Sequence, residues 1–306
     1  PSWWLCIGTR PIDIHLKALS KLGVKYKIKQ GYVHATAPKG LKGSKIHFPK
    51  ISVGATENLI IAASMAKGIS ILSNCAIEPE IIDLINFLKK MGCKLKWISK
   101  RSLKITGVNY LDDASYTVMF DRIEAGTYLI AAAVTEGNLK IRKVNPLTVK
   151  KEIDILKKIG SRIKYRNNEI HIIGSKNIRS INLKTAPWPG LATDLQAQMM
   201  VLLCKANKKS VIQENIFENR FMHVGELNRM GAKILIKGNK AIIGGRIKFI
   251  AAELMATDLR ASVSLVLAAL SASGKSIINR IYHLDRGYEN IEKKLRKVGA
   301  KIRRIH

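Results

Sequence analysis

The sequence predicts an α/β protein, a closed pseudo-symmetric assembly of ~70-residue units rather than a solenoid. Three observations lead to this class. Five segments match one another, LSKLGVKYKI, LKKMGCKLKW, LKKIGSRIKY, LNRMGAKILI and LRKVGAKIRR, and their glycines (Gly23, Gly92, Gly160, Gly231 and Gly299) are spaced 69, 68, 71 and 68 residues apart. A second series interleaves at the same period: SVGATENLIIAASMAKG, DRIEAGTYLIAAAVTEG, TDLQAQMMVLLCKANKK and TDLRASVSLVLAALSASG. Both series lead into β-rich runs, so each unit mixes helix and strand, whereas solenoids repeat at about 20 to 50 residues.

Each of the five segments opens as an amphipathic helix with apolar residues at i, i+3 and i+4. It closes on Lys or Arg, which complement the helix dipole, and then reaches Gly, which takes the left-handed C′ conformation without a Cβ penalty. A strand follows. In AKILIKGNKAIIGG the alternation Ala232, Ile234, Ile236 and then Ile242, about Gly238-Asn239, predicts a β-hairpin. CKLKWISKRSLKITG and SRIKYRNNEIHIIG repeat that plan. The small-residue helices can pack closely, and each precedes a short β run: ISILSN, NLKIRKV, SVIQENI or SIINRI. The unit is therefore strand, helix, strand, helix, hairpin. Four units recur after a leading fragment with only the second helix and hairpin, and the last reaches His306 after one strand of its hairpin.

With 306 residues, 47% hydrophobic and 25% charged, the chain can bury a large core and is expected to form two domains. The formal charge of +31 draws anionic substrates, but the lysines are spread over almost every segment. A nucleic-acid binder gathers them on one face, often with aromatics, so composition explains the charge and no nucleic-acid partner is expected. No apolar run reaches the length of a membrane span; stretches such as 261–272 suit buried helices. The opening lacks a basic n-region, so a signal peptide is not expected. Cys6, Cys75, Cys93 and Cys204 have neither CxxC nor Cys/His spacing, which argues against zinc and a disulfide framework and for a reducing cytoplasm.

Thr193-Asp194 and Thr257-Asp258 each stand directly before a small-residue helix. Either aspartate can be an N-cap; alternatively it places a carboxylate at a helix mouth where anions bind, the second with Arg260 two residues on. KISVGATEN, from Lys50, offers the Ser52 hydroxyl and the Val53 and Gly54 amides as a turn or a phosphate cradle, without the GxxxxGK[ST] pattern of a nucleotide-triphosphatase loop. FENRFMH and YHLDRGYE are dense in charge and aromatics. Arginine recurs at loop-to-helix positions (Arg10, Arg122, Arg220, Arg260, Arg286), where its rigid fork suits carboxylate and phosphate.

IGTRPIDIH, ISVGATEN, EPEIIDL, DRIEAGTYLIAAA, TAPWPGLATDLQAQ, FENRFMHVGELNRMGA, MATDLRASVSLVLA and NRIYHLDRGYENIEKKL occur in one order and register. Over residues 7–306 the chain thereby resembles the bacterial UDP-N-acetylglucosamine 1-carboxyvinyltransferases, enolpyruvyl transferases that begin peptidoglycan precursor synthesis. The resemblance implies an inside-out α/β barrel of two domains, each of three pseudo-symmetric units. On this chain it implies a partial UDP-sugar-side domain over 1–115, incomplete at one and a half units, and a second domain over 116–306. It further implies transfer of enolpyruvate from phosphoenolpyruvate to the 3′-hydroxyl of UDP-N-acetylglucosamine by addition and elimination, in the cytoplasm, with no metal or organic cofactor and no membrane partner.

By motif, the resemblance makes Asp194 the base for the 3′-hydroxyl, and Arg10 and Arg286 the grip on phosphoenolpyruvate with Arg260 nearby. Asp13, His15, Lys50, Ser52, Val53 and Gly54 would hold the uridine diphosphate part, and Ile216 would contact the sugar nucleotide. Such pre-placed cations stabilise shifting charge without reorganising water. Two departures stand out. The family has Arg before Glu-Pro-Glu where this chain has Ile77, and its N-terminal stretch, with a substrate-binding Lys-Asn pair and an Arg, has no counterpart here.

The family's mobile loop reads Pro-Gly-Gly-Cys-Ala-Ile-Gly, its Cys a general acid; alignment on Ile7-Gly8 puts Leu5, not Cys6, at that place. Tryptophan has only the codon TGG, so Trp3-Trp4 read one base later gives Gly-Gly, and Ser2, Leu5 and Cys6 have codons that then read Pro, Cys and Ala. Residues 1–6 are thus expected to be a frameshift scar on an N-terminally truncated chain, inactive or nearly so. The alternatives are a shikimate-type enolpyruvyl transferase and a basic RNA-binding or RNA-end-processing protein of related fold.

Overall fold

The structure is a computed structural model that describes residues 12–305. The chain divides between Met119 and Phe120 into two compact units.

In the first unit, α1 (Asp13–Lys21) buries Ile14, Leu16 and Ala18, and is followed by a hairpin of β1 (Lys25–Lys29) and β2 (Tyr32–Thr36). The full repeat then runs β3 (Lys45–His47), α2 (Val53–Ser64), β4 (Ile69–Ser73), α3 (Pro79–Lys90), β5 (Lys94–Ser99) and β6 (Ser102–Thr106). Its strands form one sheet in the order β3-β4-β6-β5: the first pair is parallel across the α2 crossover, the others antiparallel. Ser52 caps α2, its Oγ accepting from the Ala55 amide at 3.3 Å, and Pro79 starts α3 where a missing N–H costs nothing. Leu59, Ile60, Leu72, Ile81, Leu103 and Ile105 fill the core between helices and sheet.

The second unit opens with α4 (Arg122–Val134), β7 (Asn138–Arg142), α5 (Lys150–Ile159), β8 (Arg162–Arg166) and β9 (Glu169–Ile173). It continues through β10 (Leu183–Lys184), α6 (Gln196–Cys204), β11 (Ser210–Gln213), α7 (Val224–Arg229), β12 (Ile234–Lys237) and β13 (Lys240–Ile243). It closes with β14 (Glu253–Met255), α8 (Leu259–Leu270), β15 (Ile277–Asn279), α9 (Tyr282–Asp285) and α10 (Ile291–Lys297). The sheet order β10-β11-β13-β12, with β10 and β11 parallel, reproduces the first unit's topology element for element. The small-residue helices α4, α6 and α8 pack together, all nine residues of α6 are buried, and the core runs through Leu129, Ile130, Met199, Met200, Leu202 and Leu265.

The five repeating glycines all have positive φ, from +88° at Gly92 and Gly231 to +121° at Gly160. At every one the following amide reaches back five residues, as from Ser161 to the Leu156 carbonyl at 3.0 Å and from Ala300 to that of Leu295 at 3.1 Å. This is the Schellman closure that the Lys/Arg-then-Gly pattern predicts.

Two expectations need correction. In the hairpin of β12 and β13, Ile234 pairs with Ile243 and Ile236 with Ala241, so Ile242 lies on the other face with Leu235. Ala241 and Ile243 are the buried residues of the return strand, while Ile236 is 43% exposed near the turn. After Gly299, residues 301–305 form no strand; Arg304 instead ties this segment to Asp285 at 2.6 Å and to Glu292 at 3.3 Å.

Cys75, Cys93 and Cys204 are free and buried, and burial pushes the Cys75 and Cys204 thiols up to about 12. They are space-fillers, not nucleophiles. No helix among the described residues is long and apolar enough to cross a membrane.

Candidate active site

Asp194 and Asp258 occupy equivalent places in successive repeats, yet their carboxylates do different things. Asp258 caps α8, accepting from the amides of Arg260 at 2.8 Å and Ala261 at 3.0 Å. Asp194 lies within a 3-10 turn, Thr193–Leu195, and caps nothing. Its Oδ1 receives Arg220 Nη2 at 3.3 Å and its Oδ2 receives Arg260 Nη2 at 3.4 Å, so it stands between two guanidinium groups. Both arginine side chains are 18% exposed and Asp194 is 33% exposed, which leaves the carboxylate reachable from solvent. Arg220 stacks on Phe217 with Cζ 4.8 Å from the ring centroid, and Arg260 lies 5.8 Å from that of Tyr288. Burial opposes the Arg260 charge, but Asp194, Tyr288 and Asp121 together hold its guanidinium above the ordinary range, so it is permanently cationic. Its Nη1 is buried without a hydrogen bond, a donor directed at no protein group.

Two buried devices hold this cluster. Glu214, just past β11 and 3% exposed, gathers four donors. Its Oε1 accepts from Thr185 Oγ1 at 2.8 Å, the Ile216 amide at 2.8 Å and the Phe217 amide at 3.2 Å, and its Oε2 accepts from Thr193 Oγ1 at 2.9 Å. One carboxylate thereby ties the turn that carries Asp194 to the loop that carries Ile216 and leads to Arg220. The second device joins Tyr288, Thr127 and Gln198, whose Nε2 donates to the Asp194 carbonyl at 3.0 Å. Arg286 is exposed at the end of α9; the next residue, Gly287, packs so closely on Leu259 that a Cβ would stand 2.8 Å from its Cδ1. That contact brings the Arg286 segment against the first turn of α8, which carries Arg260.

His223, at the start of α7, is 1% exposed and its Nε2 has no hydrogen bond. Burial first, and Arg220 second, push its imidazole down to about 4 against the opposing pull of Asp258. It is neutral in the folded unit and ordinary, near 6.5, in the unfolded chain. The unfolded chain therefore binds more protons across this window, and stability is lost as pH falls from about 6.5 towards 4. The urea midpoint of the wild type is expected to drop more steeply between these pH values than that of His223→Gln; parallel slopes would refute this.

The first unit carries a separate group at the start of α2. Val53 and Gly54 begin the helix behind the Ser52 cap, beside exposed Lys50. His15 from α1 lies over them: a Cβ on Gly54 would stand 3.3 Å from its Cε1. Asn58 Nδ2 is 2.7 Å from His15 Nδ1, and as the amide donates, Nδ1 accepts and the proton sits on Nε2. Burial lowers the His15 affinity for a second proton, with Asp13 opposing. The result is a neutral donor over a helix N-terminus, a place suited to an anionic oxygen.

Of the residues named from the sequence, the structure gathers Asp194 and Arg260 in one cluster with Ile216 and Arg286 on segments bound to it. It gathers Asp13, His15, Lys50, Ser52, Val53 and Gly54 in another. Ile216 spends its amide on Glu214, which leaves its carbonyl and side chain for contact. Arg10, Leu5 and Cys6, and with them the frameshift reading and the expected loss of activity, lie outside the described residues. Glu214, Asn58, Gln198, Thr127 and Tyr288 were not singled out by sequence reasoning. Arg220 was noticed only as one of a recurring set. Among the described residues no group of three or more His, Cys, Asp or Glu is placed to hold a metal ion.

A repeated α/β unit with a carboxylate clamped by arginines at the mouth of small-residue helices fits the class of transferases that handle anionic substrates. Comparison with solved structures fixes the fold. The chain superposes on the enolpyruvyl transferase NikO from Streptomyces tendae with a TM-score of 0.87 at 24% identity, covering 96% of this chain and 72% of that one. It superposes on EPSP synthase from Acinetobacter baumannii with a TM-score of 0.74 at 20% identity, covering 98% and 73%. Residues 6–295 match the family described as EPSP synthase (3-phosphoshikimate 1-carboxyvinyltransferase).

Curated relatives are closer in sequence. The UDP-N-acetylglucosamine 1-carboxyvinyltransferase of Pelagibacter ubique is 73% identical over 300 residues, 98% of this chain and 72% of the relative; that of Trichlorobacter lovleyi is 52% identical over 304. The chain belongs to the UDP-N-acetylglucosamine 1-carboxyvinyltransferase family of enolpyruvyl transferases. The expectation of an incomplete first domain is not borne out: these comparisons cover the chain almost in full.

Proposed function

We propose that the chain transfers the enolpyruvyl group of phosphoenolpyruvate to the 3′-hydroxyl of UDP-N-acetylglucosamine and releases phosphate, the first committed step of peptidoglycan precursor synthesis, in the cytoplasm. The observation that carries this reading is Asp194 held between Arg220 and Arg260. The names of the relatives at 73% and 52% identity support the choice of acceptor.

The chemistry follows from the cluster. In the addition, the 3′-oxygen bonds to C2 of phosphoenolpyruvate, its proton passes to Asp194, and C3 gains a proton from water. In the elimination, C3 returns a proton to water, the C2 to phosphate-oxygen bond breaks, phosphate leaves with the electron pair, and Asp194 releases its proton to the departing phosphate. An aspartate that accepts from Arg220 and pairs with Arg260 keeps lone pairs for a hydroxyl, since two carboxylate oxygens offer about four acceptor positions. Arg260, with Nη1 unspent, and Arg286 hold the carboxylate and phosphate and balance charge as it moves. Arg10 has the same role. The 12–119 unit serves the nucleotide: Lys50, the Ser52 to Gly54 turn and His15 Nε2–H meet the diphosphate, with Asp13 beside them, while Ile216 touches the sugar. The two units correspond to the UDP-sugar-side domain and the second domain.

The test is incubation of the full chain with both substrates, following phosphate release and the enolpyruvyl product by mass spectrometry, with shikimate 3-phosphate as a competing acceptor because the family description names that chemistry. Product from UDP-N-acetylglucosamine alone is expected. Product from shikimate 3-phosphate only, or from neither acceptor, overturns the assignment.

A further inference from the structure

We propose that Tyr288 is a positioning residue that sets the Arg260 guanidinium against Asp194, through a buried hydroxyl chain running from Tyr288 to Thr127. The inference rests on the reading of Arg260 and Asp194 as groups that engage substrate.

Tyr288 is wholly buried, and a buried phenol must place its hydroxyl on a partner. The partner is Thr127 Oγ1 at 2.9 Å. Counting protons gives the chain a direction. Thr127 has one hydroxyl hydrogen, and it goes to the Ile123 carbonyl of its own helix at 2.8 Å. Its oxygen can therefore only accept, so Tyr288 donates to it, with Gln198 Nε2 as a second donor at 3.2 Å. The phenol hydrogen is spent, and what Tyr288 presents to the other side is lone-pair density. Gln198 Nε2 faces it at 3.4 Å, and the Arg260 guanidinium lies over the ring, with Cζ 5.8 Å from its centroid.

The hydroxyl thus pins the ring through Thr127, and the cation packed against that ring is Arg260. Gln198 extends the same chain to the Asp194 carbonyl at 3.0 Å. Helix α4 supplies Thr127, α6 supplies Gln198, α8 supplies Arg260, and the segment after α9 supplies Tyr288, so four separate elements meet at one phenol side chain. A phenylalanine fills the same volume but lacks the hydroxyl bond to Thr127 that anchors the ring on which Arg260 rests. Arg260 then keeps its ion pair with Asp194 but lies against a ring that is no longer anchored.

The experiment uses the full chain and the variants Y288F, T127V, T127S and Y288F/T127V, each checked for native circular dichroism. The Nε–H resonance of Arg260, assigned with R260K, reports the order of the guanidinium without any need for turnover. Slow solvent exchange is expected in the wild type and in T127S, which keeps the hydroxyl, and several-fold faster exchange in Y288F and T127V. In turnover, Y288F and T127V are expected to lose roughly tenfold to hundredfold in kcat with little change in the KM for the sugar nucleotide. T127S should recover most of that loss, and the double variant should be no worse than the worse single one, because both break one chain. Should Y288F fail to fold, the Thr127 pair decides alone. Unchanged Arg260 exchange in the variants, or losses that multiply in the double variant, overturns the proposal. If the wild type turns over neither substrate while exchange still rises in Y288F, the proposed function falls and the positioning role stands. Turnover with an unmoved Arg260 signal gives the reverse.

Discussion

Asp194→Asn is expected to lower kcat by about 10²- to 10⁴-fold, the range for loss of a positioned general base. The substitution is nearly isosteric, so the 3-10 turn and the Glu214 tether survive. What disappears is the capacity to take the hydroxyl proton, along with one acceptor oxygen. Arg220 and Arg260 reach the carboxylate from opposite oxygens, and an amide must turn its NH2 towards one of them. That guanidinium loses its partner and its orientation. The stability cost stays on the order of 1 kcal/mol, because the cluster is partly exposed and screened. Steady-state kinetics beside thermal denaturation separate the two effects. A variant that melts like the wild type and retains more than about a tenth of its kcat shows that Asp194 is not the base.

Glu214→Ala is expected to cost the 120–305 unit about 3 to 5 kcal/mol, because a buried donor left without its acceptor costs about 1 to 3 kcal/mol and several are left together. The removed carboxylate accepts from two threonine hydroxyls and two amides, and all four donors stay behind in a region that water does not enter freely. Glu214→Gln should fall between, since it keeps one acceptor oxygen but turns an NH2 onto a donor. Urea midpoints give the order wild type, then Gln, then Ala. Amide exchange locates the loss at residues 185–195 and 214–217. If the alanine variant matches the wild type in both measurements, the tether carries no free energy and the Asp194 turn is held by other contacts.

The parts of the molecule legible in the sequence are those that local chemistry dictates. A run of apolar residues at helical spacing, then Lys or Arg, then Gly, predicts a helix stop, and each of the five glycines adopts positive φ. The phase of the hairpin at Gly238 was harder. Isoleucine at 234, leucine at 235 and isoleucines at 236, 242 and 243 make both faces apolar, and only cross-strand pairing with the burial of the return strand shows that Ala241 and Ile243 face the core.

The candidate site was legible in its types of residue but not in its division of labour. Thr193-Asp194 and Thr257-Asp258 read alike, and the difference arises from Arg220, 26 residues beyond Asp194, reaching its carboxylate. Nothing local encodes that contact. Tyr288 lay within a charged run, YHLDRGYE, that reads as surface, yet Tyr282 in the same run is 54% exposed while Tyr288 is fully buried. Glu214 offered one faint signal, a carboxylate directly after the apolar strand SVIQ.

The paired aspartates also bear on how repeated proteins acquire chemistry. Where one architectural unit occurs several times, the same position is present in several copies, and not every copy must secure its helix. Asp258 still does so. Helix α6 begins without that cap, buried along its whole length by neighbouring helices, and its aspartate has been released to a partly exposed post between two cations. Redundancy in the scaffold is thus the source of the free carboxylate: a duplicated fastening, no longer needed in one place, became available as a reagent.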